Sequence, residues 1–180
     1  MTSDKPPAAD ACVKRAGSAD QPLDVDAFTA ALPAGARLIG VDVGTKTLGL
    51  ALSDVTRTIA SGLETIRRTK FKADAARLVE LVRQHNVGGL VIGLPINLDG
   101  STGPRAQASH AFARLIGPLA GVPCLLWDER MTTAAAERLL IEADTSRKRR
   151  AEVIDKMAAT LILQGALDRM RSAHLTRHED

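Results

Sequence analysis

An α/β fold, with a mixed central sheet flanked by helices, is what the order of apolar patterns along this chain predicts. Three observations carry it. Three strand-like segments follow one another between Arg37 and Arg68, helical and strand patterns alternate from Lys72 to Glu129, and the remainder reads as helix. Consecutive strands joined by short turns form an antiparallel meander, whereas strands reached through helices are joined by crossovers and run parallel.

The residues before the first strand are rich in Pro, Ala, Asp and Ser, so 1–34 read as a disordered leader with a short helix in "DVDAFTAAL". "RLIGVDV" is a compact apolar strand, and "LGLALSD" follows it after the turn "GTK", the spacing of a hairpin. "TIASGLETIRR" supplies a third strand. "KADAARLVELVRQHN" repeats apolar residues at Leu78, Val79, Leu81 and Val82, a helical period ended by Asn86 and two glycines.

"GGLVIGLP" is a fully apolar strand, and "INLDGSTGP" is a turn-rich loop whose length and glycines predict a mobile flap. "RAQASHAFARLIGPLA" reads as a helix and "VPCLLWDE" as a buried strand ending on acids. "TTAAAERLLIEA" is a helix with a threonine available as N-cap, and "AEVIDKMAATLILQGALDRM" carries the longest helical pattern. The folded domain is expected over 35–172 and a frayed tail over 173–180.

Composition narrows the function. Apolar residues at 45% and charged residues at 25% are ordinary for a soluble globular protein, and 180 residues suffice for one domain. No window approaches the ~18 apolar residues of a membrane helix, and the leader lacks the apolar core of a secretory signal, so a cytoplasmic protein with no membrane partner is expected. Cys12 and Cys124 form neither a disulfide framework nor a metal-ligand cluster and read as free thiols. The net charge of +3 permits nucleic acid without requiring it. Aromatic residues make up only 2%, so bases cannot be stacked in series, and backbone and shape should dominate any such contact.

Three acids stand out by position. Asp42 ends the first strand just before Gly44, Asp128 and Glu129 end a later buried strand, and Asp155 lies in the first turns of the last helix beside Ala158 and Ala159. In an open sheet, acids at the carboxyl ends of central strands converge on the usual site crevice. Clustered carboxylates resist ionising together unless cations neutralise them, and an oxygen-only set favours Mg²⁺ or Mn²⁺. Alternation sends only one of Asp128 and Glu129 toward a given face. Asp54, also at a strand end, reads as a turn or cap residue.

Taken in order, "LIGVDVGTKTLGLALSD", "GLPINLDGSTGPRA", "WDERMTT" and "RRAEVIDKMAATLILQGALD" resemble the YqgF/RuvX family. These are small bacterial proteins of the RNase H-like fold, related to Holliday-junction resolvases and described as pre-16S rRNA nucleases. The resemblance spans Arg37 to about Met170 and implies an RNase H-like nuclease that uses Mg²⁺ or Mn²⁺. The family's three acids fall on Asp42, Glu129 and Asp155, which chooses Glu129 over Asp128 by resemblance. Its glycine-rich turn matches Gly44, Thr45 and Lys46.

Candidate nucleic-acid contacts follow. Lys46 stands in the turn; Asn97, Ser101 and Arg105 lie in or beside the flap; Arg130 either pairs with a neighbouring acid or contacts substrate. Lys148, Arg149 and Arg150 sit immediately before the last predicted helix, where they oppose its dipole and a phosphate would offset the repulsion. The expected substrate is structured pre-rRNA, with branched DNA the alternative, and a homodimer is allowed. Two rivals are a non-catalytic RNA-binding assembly factor and an actin-like ATPase, the latter needing a second "DVG" lobe that this length does not supply.

Overall fold

The computed structural model describes residues 22–97, 99–131 and 147–176, with the side chains of 147–153 and 174–176 outside that description. Five strands form one sheet: β1 (Arg37–Val43), β2 (Thr47–Ser53), β3 (Ala60–Arg67), β4 (Val87–Leu94) and β5 (Cys124–Asp128). Among the described residues four helices accompany them, α1 (Val25–Ala31), α2 (Phe71–Gln84), α3 (Pro104–Ala120) and α4 (Arg147–Thr176). The strand order is β3-β2-β1-β4-β5. The β1–β2 and β2–β3 pairs are antiparallel and the β1–β4 and β4–β5 pairs parallel, as the meander and crossover patterns require.

Strand alternation divides the apolar residues between two layers. Ile39, Val41, Leu50 and Ile92 face one side, where Leu78 of α2 and Phe112 and Ile116 of α3 cover them. Leu38, Ala51, Val91 and Trp127 face the other, where Ala159, Leu163 and Leu167 of α4 cover them. Each large side chain fully withdrawn from water contributes about 1.5–3 kcal/mol. A sheet apolar on both faces therefore needs helices on both.

Helix α4 approaches the sheet unusually closely because two strand positions carry no side chain. A Cβ at Gly40 would lie 2.6 Å from Leu163 Cβ, and one at Gly49 would run into the backbone carbonyl of Asp155. Glycine weakens an isolated strand, so its presence here reports the close approach of another backbone.

Several expectations need correcting. The fold begins earlier than residue 35: Asp24 caps α1 by accepting the Ala27 N–H at 2.8 Å, and Phe28 is fully buried in the α4-side layer. A single aromatic anchor outweighed the polar composition around it. Arg147–Arg150 are the opening residues of α4 and do not precede it, which puts Asp155 in the third turn. At the other end the helix passes the expected fraying point and continues to Thr176. The expected helix over 132–143, the leader before residue 22 and the last four residues lie outside the described residues.

The strand-end acid Asp54 does serve the β2–β3 turn. Its carboxylate accepts the N–H groups of Thr56, Thr58 and Ile59 at 3.2, 2.7 and 2.8 Å, together with the Thr56 hydroxyl. Cys124 is a buried free thiol whose pKa burial pushes up to about 12, so it is a core residue and no nucleophile. Among the described residues, no helix is long and apolar enough to cross a membrane.

Candidate functional site

The register of β1 decides where Asp42 points. Ile39, Val41 and Val43 face α2 and α3, so Asp42, like Leu38 and Gly40, faces α4. Its cross-strand partner is Gly49, and the backbone of Asp155 rests on that glycine. Asp155 is thereby brought beside Asp42 by a missing side chain on the neighbouring strand.

Glu129 arrives by a third route. Strand β5 ends at Asp128 and passes into a single 3-10 turn, Glu129–Met131. A Cβ at Gly93 would lie 2.6 Å from Glu129 Oε1 and 2.5 Å from Ile162 Cδ1 of α4, so the Glu129 carboxylate lies over Gly93 on the α4 face. Val41 pairs with Ile92, which sets Asp42 and Gly93 side by side where the parallel strands end. Three half-buried carboxylates from three elements therefore share one face at one rim.

The electrostatics agree with the geometry. Burial raises the Asp42 pKa, the nearby Arg105 guanidinium lowers it and the Asp155 carboxylate raises it again. Burial likewise raises Glu129, with Asp42 and Asp128 adding to the rise and Arg105 opposing it. The chain thus holds acids together against both desolvation and mutual repulsion. Arg105, exposed on the first turn of α3, is the cation that acts on both carboxylates.

Asp128 is excluded from this group. The pleat turns it toward the α3 side, where Arg130 grips it: Nη2 to Oδ2 at 2.7 Å and Nε to Oδ1 at 3.0 Å, with the Arg130 backbone N–H also donating to Oδ1 at 3.0 Å. These bonds hold its pKa below the usual value. Of the two pairing options for Arg130, the structure takes Asp128, and the guanidinium is still exposed enough to meet a substrate.

The turn that follows Asp42 is tightly built. Gly44 donates to the carbonyl of Thr47 at 3.0 Å, and a Cβ there would lie 2.8 Å from that oxygen. The Arg68 guanidinium donates to the Gly44 carbonyl at 2.7 Å, and the Arg68 backbone N–H to the carbonyl of Lys46 at 2.9 Å. Lys46 itself is exposed. Arg68 was missed by sequence reasoning because only the β2–β3 pairing brings it to the turn.

The expected flap is a closed turn in this structure. Asn97 and Ser101 exchange a backbone bond of 3.0 Å, the Asn97 amide donates to the Ser101 hydroxyl at 2.9 Å, and that hydroxyl donates to Asp99 at 2.6 Å. Asn97 and Ser101 are both exposed, and the Asn97 amide keeps further hydrogen-bonding capacity; Leu98 lies outside the described residues. The backbones of Lys148, Arg149 and Arg150 open α4, and their side chains lie outside the described residues.

Whether the acids fit a divalent cation can be judged from their chemistry. Among the described residues, no three His, Cys, Asp or Glu side chains converge closely enough to hold an ion as they are placed. The donor set nevertheless fits one: three carboxylates, all oxygen ligands, with two held above their ordinary pKa by burial and by a neighbouring carboxylate.

Comparison with known proteins places this chain in a family. A family model described as "RuvX: Holliday junction resolvase" matches residues 36–169. A Methylocella silvestris protein named "Putative pre-16S rRNA nuclease" is 61% identical over 135 residues, covering 75% of this chain and 84% of its own. A Roseobacter denitrificans protein of the same name is 57% identical over 150 residues, covering 82% and 92%. Among solved structures, T. thermophilus RuvC in complex with a Holliday junction substrate matches with a TM-score of 0.50 at 18% identity, covering 75% of this chain and 96% of that one. At that identity the likeness speaks for the fold, and the fold is RNase H-like. The family model covers most of the chain and the named relatives share more than half of the aligned residues, so the chain belongs to the RuvX family.

Proposed function

We propose that this protein is a metal-dependent nuclease that hydrolyses phosphodiester bonds of pre-16S rRNA in the bacterial cytoplasm, with Asp42, Glu129 and Asp155 as its catalytic carboxylates. The observation that carries the reading is the placement of these three acids, from β1, the turn after β5 and α4, on one face at the carboxyl rim of the sheet. Relatives at 55–61% identity carry the pre-16S rRNA nuclease name. Mg²⁺ or Mn²⁺, when bound, supplies activation of water and charge neutralisation at the phosphate.

Everything else falls to the chain. Asp42 lies between the other two acids and is the ligand best placed to be shared. Glu129 and Asp155 flank it and hold the site's geometry from separate elements. The raised proton affinity of Asp42 and Glu129 means that a cation and a proton compete for the same oxygens. Arg105 offsets the acids and, being exposed, would reach a substrate phosphate at the rim. Lys46, Arg130, Lys148, Arg149 and Arg150 are assigned as phosphate contacts, which position without specifying.

A second reading, cleavage of branched DNA, is favoured by the description of the matching family model. One assay separates the two. Labelled pre-16S RNA, a DNA four-way junction and single-stranded RNA are incubated with the parent and with Asp42→Asn, in Mg²⁺, in Mn²⁺ and in chelator. The proposal expects cleavage of the rRNA precursor only with metal and only by the parent. Cleavage that survives chelator or Asp42→Asn overturns the mechanism. Tight precursor binding without cleavage under any condition makes the protein an assembly factor.

A further inference from the structure

On the opposite face of the same rim lies an open groove of about 710 Å³ that the catalytic acids do not use. Its floor is aliphatic, made of Leu94, Leu126 and Leu23; its wall is one side of α3, where Gln107, His110 and Arg114 recur at helical spacing. No Phe or Trp lines it. The volume falls within the range of small-ligand sites, on the order of 300–1,000 Å³.

We propose that this groove receives an unpaired nucleotide of the strand being cut, next to the scissile phosphate. The inference rests on the nuclease reading and deepens it by naming single-stranded flanks as the feature recognised.

Position is the first argument. Leu94 directly follows Gly93, over which the Glu129 carboxylate lies, and it pairs with Asp128 on β5. Alternation turns Gly93 toward α4 and Leu94 toward α3. A nucleic-acid strand crossing the carboxyl ends of β4 and β5 therefore passes from the acids on one face into the groove on the other.

Charge is the second. Helix α3 contains no Asp or Glu in its 17 residues, yet carries Arg105 and Arg114. Arg105 sits in the first turn, where the helix dipole disfavours a cation and the turn itself carries no acid. A helix kept free of acids along a rim of acids suits a polyanion. The one carboxylate in the groove lining, Asp24, is already committed to capping α1.

Chemistry is the third. An aliphatic floor takes the face of a base, the Gln107 amide and His110 ring reach its polar edge, and Arg114 takes a phosphate. Such a pocket admits a splayed nucleotide and not a base held in a duplex. A chain with so few aromatic residues can still hold one unpaired base this way.

The test measures binding with chelator present, so turnover plays no part. Full-length parent and Arg114→Glu are titrated with labelled oligouridylate and with a blunt RNA duplex at several salt concentrations. Arg114 is exposed, and circular dichroism checks that the variant is folded. Arg114→Glu is expected to bind oligouridylate roughly tenfold more weakly and to lower the slope of log affinity against log salt by at least about 0.7, leaving the duplex nearly unchanged. Thiouridine-substituted RNA should crosslink to the Gln107–Arg114 segment.

Equal oligouridylate affinity in both proteins, crosslinks that fall elsewhere, or an equal loss on the duplex overturns the groove proposal and leaves the nuclease reading standing. A parent that binds neither RNA, with chelator or with metal, overturns the nuclease reading, and the groove proposal falls with it.

Discussion

Gly49 and Asp155 meet backbone to backbone, and that contact sets the third acid beside the first. A side chain at residue 49 would have to displace the carbonyl of Asp155, lifting α4 from the sheet. Gly49→Ala is expected to destabilise the protein by about 1–3 kcal/mol through overpacking and to lose activity beyond what the stability change explains. Urea titration beside cleavage rates measured well below the unfolding transition checks this. A stable and fully active variant would show that Asp155 is placed by something else.

Asp42→Asn is expected to stabilise the metal-free fold near neutrality while abolishing cleavage. Burial, followed by Arg105 and Asp155 in opposite senses, leaves the folded-state pKa of Asp42 above 3.8. The folded protein therefore binds this proton more tightly than the unfolded chain does. Its contribution to stability is complete below the unfolded value and is lost as pH rises through the folded one. The melting advantage of Asp42→Asn over the parent should be largest near neutrality and shrink on acidification. Melting curves of both proteins across that range decide it.

Arg105→Gln should move two affinities in opposite directions. Removing a cation that acts on both Asp42 and Glu129 favours a divalent ion by about 1 kcal/mol, roughly fivefold, whereas nucleic acid loses a phosphate contact. The sole tryptophan, Trp127, stands two residues before Glu129 and gives a fluorescence readout for the metal titration. A loss of both affinities would assign Arg105 to the fold instead.

Asp54→Ala should lower the melting temperature by about 2–4 °C without touching catalysis. Backbone N–H groups of Ile59, Thr58 and Thr56 and the Thr56 hydroxyl hold the Asp54 carboxylate well below its usual range. Its stabilising effect is thus present above 3.8 and disappears only as pH falls through the lower folded value. The deficit of Asp54→Ala should be constant near neutrality and close only in strong acid, which thermal scans of both proteins would show.

Much of this was legible in the residues. Two short turns after apolar strands announced the meander, and helix-strand alternation announced the parallel pairs. Acids at strand ends located the rim. Choosing Glu129 over Asp128 took the family resemblance, because alternation says that one of two neighbours faces the site without saying which. The burial of Phe28 escaped notice because composition averages a window, and one anchored ring is invisible in an average. Arg68 and the Gly49 contact escaped for another reason: both are relations between strands, and a single sequence read along its length does not show what lies across it.

Because α4 closes the α4-side layer and carries Asp155, synthesis from the N-terminus delivers the last acid after the whole sheet. Until that helix emerges, a nascent chain presents Leu38, Ala51 and Val91 uncovered and has only two of its three acids. On the proposed mechanism, an unfinished or truncated copy is therefore prone to stick and unable to cut. Proteolysis within α4 would silence the enzyme by the same route, with no need to reach the strands that carry Asp42.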